Sequence, residues 1–273
     1  MLRKYGSSRT LTENIRLGTL TAFVAGMVNV ASLLLFFAFT SNVTGHYAII
    51  AAEMAKGNYY QLAVVTAWIF AFFLGSFTSN ALVINLNRWS RYVAHASPLA
   101  LEILCLMAVG LYGQFHYRET LTETEVLLTL MLFAMGLQNG LTASISNFTV
   151  KTTHLTGATT DLGILVSMML RREHRRNKDM VGRLKLMASI AGSYLLGAMV
   201  AGFACVHIGF KTFYVVSGML LVVVCYDLYE LGINRFIQAK APAPSPNGRA
   251  LDHQLPEIGM LRGTRQEQKV PAV

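Results

Sequence analysis

Charge is scarce in this sequence. Only 14% of its 273 residues are Asp, Glu, Lys or Arg, whereas 53% are hydrophobic and the mean hydropathy is +0.45. A soluble globular domain carries about 25% charged residues, so this chain has too little charge to solvate a folded surface in water. The composition therefore excludes an ordinary soluble domain and predicts a protein whose main solvent is lipid.

Cysteines are few, and familiar catalytic motifs are missing. The three cysteines, Cys105, Cys205 and Cys225, all fall in apolar segments. Their spacing suits neither a disulfide framework nor a metal site, and we interpret them as small core residues. The sequence has no Walker phosphate loop, no His-Glu-x-x-His and no Gly-x-Ser-x-Gly. We therefore predict no enzyme activity, no metal and no cofactor.

The basic residues, although in excess, are not arranged for nucleic acid. The formal charge is +9, from 23 basic and 14 acidic residues. A nucleic-acid-binding protein clusters its cations on one folded face with aromatic residues between them. Here the cations lie between apolar runs, which is typical of membrane topology signals. The predicted partner is the lipid bilayer, and nucleic acid is not expected.

Six apolar runs are long enough to cross about 30 Å of hydrocarbon. They are Leu17–Phe39, Tyr60–Leu86, Pro98–Phe115, Val126–Ser146, Leu186–Ile208 and Phe213–Tyr229. The first is too long for the core of a signal peptide. Two shorter runs, Val43–Ala55 and Leu155–Leu170, are each entered through a Thr-Gly pair, and their length suits broken or re-entrant helices. If both crossed, the protein would have eight spans.

The distribution of Lys and Arg favours six spans. With six, residues 1–16, the Arg88 and Arg91 loop, the basic segment Arg171–Lys185 and the tail share one side, and the opposite loops hold one cation each. The positive-inside rule then places both termini in the cytoplasm. We predict a basic cytoplasmic leader at 1–16, a membrane domain at 17–230 with halves at 17–115 and 126–230, and a disordered cytoplasmic tail at 231–273.

The two halves share short motifs in the same order. Ala25–Asn29 resembles Met135–Asn139, Ser41–Gly45 resembles Thr153–Gly157, and Leu74–Phe77 resembles Ala191–Tyr194. Each half holds three crossings, an odd number, so a tandem duplication would place the second half upside down in the membrane. Inverted repeats with interrupted helices recur in secondary transporters. The predicted fold is an all-α membrane helix bundle in two inverted-topology halves.

The interruptions supply the candidate binding residues. A helix broken at membrane depth frees backbone groups that must face protein, water or a ligand, and an inward helix N-terminus favours anions. We predict a substrate site from residues at and beside the two breaks: Asn29, Ser41, Asn42, Thr44, Gly45, Asn139, Thr153, His154, Thr156 and Gly157. The alternative is structural, in which the hydroxyl groups cap helices and the asparagines join them.

Two acidic residues within apolar segments are candidates for proton coupling. Asp161 lies one turn into the second short helix, and Glu102 lies in the third long run. A lone carboxylate in hydrocarbon is costly, and it is protonated or paired across helices. The alternatives are that Glu102 reaches headgroups at the end of its span and that Asp161 merely favours a helix N-terminus.

These motifs resemble the YoaK-like family of bacterial membrane proteins, known as domain of unknown function 1275. The resemblance covers about residues 16 to 230 and is most specific at Lys151–Gly157 and Thr160–Gly163. It implies a multi-pass protein of the bacterial cytoplasmic membrane and carries no activity with it. In the family pattern Asn often follows each Thr-Gly, where this chain has His46 and Ala158.

The favoured function is a secondary transporter or channel for a small polar or anionic solute, with possible proton coupling through Asp161 or Glu102. The runner-up is a non-transporting membrane scaffold or sensor whose basic segment and tail contact anionic lipid or a partner.

Overall fold

The computed structural model describes residues 9–225, and every regular element in that range is helical. The elements are α1 (Leu11–Phe36), α2 (Val43–Lys56), α3 (Tyr59–Leu86), α4 (Arg91–Phe115), α5 (Leu121–Ile145), α6 (Leu155–Met169), α7 (Arg172–Arg175), α8 (Lys178–Ile208), a 3₁₀ turn (Gly209–Lys211) and α9 (212–225). This confirms the predicted all-α bundle. The first eight residues and the predicted tail at 231–273 lie outside the described residues.

Within residues 9–225, five segments are long and apolar enough to cross a membrane: Leu11–Phe36, Tyr59–Leu86, Arg91–Phe115, Leu121–Ile145 and Lys178–Cys225. The protein is therefore a multi-pass membrane protein. The fifth segment contains both α8 and α9, which are separated by a turn at Gly209 with a φ of +52°. These two helices correspond to the last two predicted apolar runs.

The helix ends follow local chemistry. Helix α1 begins with a capping box in which Thr10 and Glu13 satisfy each other's backbone N–H groups. Helix α4 starts at Arg91, seven residues before the predicted run, and continues through Pro98. Because Pro98 has no N–H, the carbonyl of Ala94 loses its helical donor. The Ser97 hydroxyl group donates to that carbonyl at 3.3 Å, which compensates for the loss.

Glycines bring the halves into close contact as two helix pairs, α1 with α8 and α3 with α5. A Cβ added at Gly26 would lie 2.1 Å from the carbonyl oxygen of Tyr194, and one at Gly197 would lie 2.0 Å from that of Phe23. The matching contacts of the other pair are Gly136 with Phe72 at 2.2 Å and Gly75 with Phe133 at 2.1 Å. The contacts therefore make Gly75 and Gly197 the equivalent glycines of the two halves. The sequence comparison instead matches Gly75 with Gly192, which lies five residues before Gly197.

The contacts within each pair follow the same direction along both helices, which shows that the two helices run parallel. Going along α1, Gly18 faces Ile190, Gly26 faces Tyr194 and Ala198, and Gly202 faces Val30. The ends of α1, α4 and α8 lie together, because Phe36 contacts the rings of Tyr117 and Phe210, and Gly113 faces Phe210. Helix α9 runs antiparallel to α4, since Gly110 faces Phe213 and Tyr214 whereas Tyr92 donates to the carbonyl of Val224.

These directions define two ends of the bundle. We call the end that holds loop 87–90 and residues 170–177 the basic end, and the other the opposite end. Helix α1 ends and α3 begins at the opposite end. Helix α2, which connects them, therefore does not cross the membrane. In the same way α5 ends and α8 begins at the basic end, and α6 lies between them. With 14 and 15 residues, α2 and α6 are about 21 and 22 Å long, shorter than the hydrocarbon core.

Candidate functional site

The first break is anchored on the side chain of Asn29. After α1 the chain turns back at Phe37, whose φ is +56°, and the backbone N–H groups of Thr40 and Ser41 both donate to Asn29 Oδ1 at 3.0 Å. The Ser32 hydroxyl group donates to the carbonyl of Ala38 at 2.8 Å. Asn29 therefore supplies the partners that a broken helix needs inside a membrane.

The second break repeats this arrangement on Asn139. After α5 the chain turns back through Asn147 and Phe148, whose φ values are +52° and +59°. The Thr153 hydroxyl group donates to Asn139 Oδ1 at 2.8 Å, and that of Thr152 lies 3.4 Å away. Asn29 and Asn139 each lie about three-quarters of the way along their helices, so the two breaks are offset toward opposite ends of the bundle.

The two short helices differ at their N-termini. In α2 the Asn42 side chain caps the helix by accepting from the N–H of Gly45 at 3.3 Å. In α6 the equivalent position is His154, which makes no such capping bond. A Cβ added at Gly157 would meet nothing within 4 Å, whereas one at Gly45 would lie 3.0 Å from Asn42. The N-terminus of α6 is therefore the more open of the two.

A cleft of about 760 Å³ adjoins this open N-terminus. Its walls come from α6, from the first turns of α8 and from residues 147–151, and they include three predicted site residues, His154, Gly157 and Asp161. Lys151 and Arg183 add two cationic side chains to the same walls. Lys151 is close enough to His154 for the two to interact electrostatically. Cations beside a helix N-terminus suit a small anion or a carboxylate.

Arg183 was missed as a site residue by sequence reasoning. It belongs to the segment Arg171–Lys185, which we interpreted as a topology signal and, in the alternative function, as a contact for anionic lipid or a partner. Arg183 lies on the second turn of α8, and α8 packs beside α6, so the side chain reaches the cleft. Spacing from the second Thr-Gly pair could not reveal this, because the contact depends on how α6 folds back.

The remaining predicted residues lie elsewhere. Ser41 contacts the Tyr194 hydroxyl group at 3.3 Å, and Thr44 and Thr156 are exposed on the first turns of α2 and α6. Glu102 is fully buried near the middle of α4, and both of its carboxyl oxygens lack a hydrogen-bond partner. Asp161, in contrast, is exposed. Among residues 9–225, no hydrogen bond joins the two breaks to each other.

Comparison with known proteins gives the family. A family model described as "Protein of unknown function (DUF1275)" matches residues 17–226. No curated protein matches the chain, and no solved structure does. The family match covers both breaks, both parallel helix pairs and the cleft beside α6. The chain therefore belongs to the DUF1275 family.

Proposed function

We propose that this protein is a secondary transporter for a small anionic or polar solute, which binds in the cleft beside α6. The observation that carries the proposal is the composition of that cleft. It combines an uncapped helix N-terminus with Lys151 and Arg183, from two segments that the fold brings together. A helix N-terminus and two cations together favour a ligand with negative charge.

The matched contacts of the two halves support a transport mechanism. Each half has a long helix whose Asn side chain holds a break, and each of these long helices packs through glycine on the other half. We interpret the halves as an inverted repeat. In such a protein, exchanging the conformations of the halves turns a site that is open to one side into a site that is open to the other.

The orientation of the cleft follows from charge. Nine Lys and Arg residues lie at the basic end, in residues 88–91 and in the segment from Arg171 to Lys185. They are Arg88, Arg91, Arg171, Arg172, Arg175, Arg176, Lys178, Arg183 and Lys185. The positive-inside rule assigns this end to the cytoplasm of a bacterial cell. The cleft beside α6 would then face the cytoplasm, with the first break toward the outside.

Anion binding is the first test. The purified full-length protein would be heated in chloride, acetate, phosphate or succinate at constant ionic strength, and its apparent unfolding temperature recorded. We expect at least one anion to stabilise it, and we expect Arg183→Gln and Lys151→Gln to lose that effect. Lys185→Gln is the matched control, because Lys185 lies on the same helix outside the cleft.

Uptake is the second test. An anion that stabilises the protein would be offered in labelled form to proteoliposomes, and uptake above that of protein-free vesicles is expected. If no anion stabilises the protein and none is taken up, the proposal fails. Stabilisation without uptake would instead favour the alternative, a membrane scaffold or sensor. The exposed cations of α7 and its flanks, beside the 78% exposed side chain of Leu170, favour contact with anionic lipid in that case.

A further inference from the structure

Glu102 is the least expected side chain in the bundle. It lies near the middle of α4, its side chain is fully buried, and neither carboxyl oxygen has a hydrogen-bond partner. The predicted alternative, contact with headgroups at the end of the span, fits a helix that starts at Pro98. Because α4 begins at Arg91, Glu102 instead lies three turns inside the helix.

No basic side chain in the described part of the chain is placed to pair with Glu102. The helices α3 and α5, which pack against α4, carry no ionisable residue in Gln61–Leu86 or Val126–Ile145, and α1 carries none in Leu17–Phe36. The nearest titratable side chain is that of Cys105 on α4 itself, whereas Tyr214 on α9 faces Gly110 and His95 lies about two turns nearer the basic end. Lys211, in the 3₁₀ turn that also packs on α4, is exposed at the opposite end.

A carboxylate in this position would be a charge in hydrocarbon without any compensation. The neutral acid is far cheaper to bury, so the group holds a proton in this conformation. A bound proton alone does not explain why an acid occupies the position, because Leu or Gln would fill it at lower cost. A buried polar group without a partner calls for an explanation, and a functional role in another conformation provides one.

Other buried polar groups of the bundle also lack hydrogen-bond partners. The register of α4 against α9 places Ser217 at about the level of Glu102, and Ser217 is buried without a partner for its hydroxyl oxygen. Gln138 on α5 is buried with neither amide atom bonded. An apolar groove of about 460 Å³, with Leu99 in its wall, separates part of α4 from α9 and α1. The contact between α4 and α9 therefore leaves room for rearrangement.

We propose that Glu102 is the proton-binding residue of the transport cycle. In this conformation its carboxyl group is neutral and sealed from water. In the alternative conformation water reaches it, the O–H bond breaks, the proton passes to that water, and the carboxylate is solvated. This inference rests on the proposed transport function. It assigns proton coupling to Glu102 and regards Asp161 only as a residue that lines the anion cleft.

The test requires no knowledge of the solute. Full-length protein in lipid bilayers would be studied by infrared spectroscopy for the C=O stretching band of a protonated carboxyl group at neutral pH. We expect the band in the wild type and in Asp161→Asn, and we expect its loss in Glu102→Gln. Glu102→Asp keeps a carboxyl group, so it serves as a second variant if Glu102→Gln does not fold.

Transfer to D₂O then separates a working proton site from a sealed one. A band that shifts within minutes shows that water reaches the buried carboxyl group through an alternative conformation. A missing band overturns the proposal, and so does a band that stays unshifted after hours. Neither result depends on anion binding, so failure of the anion cleft and failure of Glu102 are distinguishable.

A transported anion, once known, gives a readout that a structural role would not produce. In proteoliposomes with an inward proton gradient, Glu102→Gln is expected to reduce the gradient-stimulated uptake at least tenfold. The same variant is expected to keep the stabilisation by that anion, because Glu102 does not line the cleft. Gradient-stimulated uptake at the wild-type rate would overturn the coupling role.

Discussion

The hydroxyl group of Ser41, in the first break, lies 3.3 Å from the hydroxyl group of Tyr194 on α8. Asn29, which anchors the same break, is also close enough to the Tyr194 hydroxyl group to interact with it. The first break therefore depends on a side chain from the other half of the chain. At the equivalent position of α3, identified by its contact with Gly136, the residue is Phe72, which has no hydroxyl group to offer.

Tyr194→Phe is expected to loosen the first break and leave the second unchanged. The substitution removes the hydroxyl group that hydrogen-bonds with Ser41, at a cost of about 1 kcal/mol. In a background without native cysteines, a single cysteine at Thr44 should then react faster with a thiol reagent. A single cysteine at Thr156 is the control, and an equal increase at both positions would contradict the local effect.

Gly197→Ala is expected to destabilise the bundle, because its Cβ would lie 2.0 Å from the carbonyl oxygen of Phe23. Separating α1 from α8 enough to fit the methyl group should cost about 1–3 kcal/mol. Gly192→Ala on the same helix is the matched control, since its Cβ would meet nothing within 4 Å. The apparent unfolding temperature in detergent measures both, and equal values would argue against the close helix contact.

Asn29→Ala should cost more stability than Asn42→Ala. The first change leaves the N–H groups of Thr40 and Ser41 without their acceptor, Thr40 being fully buried, at about 1–3 kcal/mol for a buried group. The second removes one exposed helix cap, which costs about 1 kcal/mol. Thermal unfolding of the two purified variants would compare them. A larger loss for Asn42→Ala would show that the break is not anchored on Asn29.

Both breaks could be predicted from sequence because their signal is local. A Thr-Gly pair before a short apolar run, with an Asn upstream, reads the same in both halves. The register of Gly75 could not be predicted in this way. Gly192-Ser193 resembles Gly75-Ser76 in sequence, but the glycine that lies against α1 is Gly197. Which glycine of α8 fills this position depends on how α8 packs on α1. Similarly, the depth of Glu102 depended on Ser97 allowing α4 to continue through Pro98.

Glu53 and Arg176 should lie on opposite sides of the membrane. Glu53 is near the end of α2 at the opposite end of the bundle, and Arg176 follows α7 at the basic end. In a background without native cysteines, an impermeant thiol reagent added to intact cells should label Glu53→Cys and not Arg176→Cys. The reverse pattern would show that the orientation assigned from charge is wrong.

Asp161→Asn should strengthen anion binding in the cleft. Asp161 lines the same walls as Lys151 and Arg183, so its negative charge opposes an incoming anion. At an exposed site such a charge is worth about 0.2–1 kcal/mol, which corresponds to an increase in affinity of about 1.4- to fivefold. Titration of the stabilising anion against both proteins would measure it, at low salt to limit screening. Weaker binding by the variant would indicate that Asp161 contacts the ligand directly through a proton or a bridging cation.

The pairing of α1 with α8 has a consequence for how the chain is made. Helix α3 meets its partner α5 after one intervening helix, whereas α1 leaves the ribosome long before α8 exists. At about 5–20 residues per second, α1 waits on the order of ten seconds with its Gly18 and Gly26 face uncovered. The α3–α5 pair can therefore form before α8 is made, so α1 completes its packing later than helices that follow it in the chain.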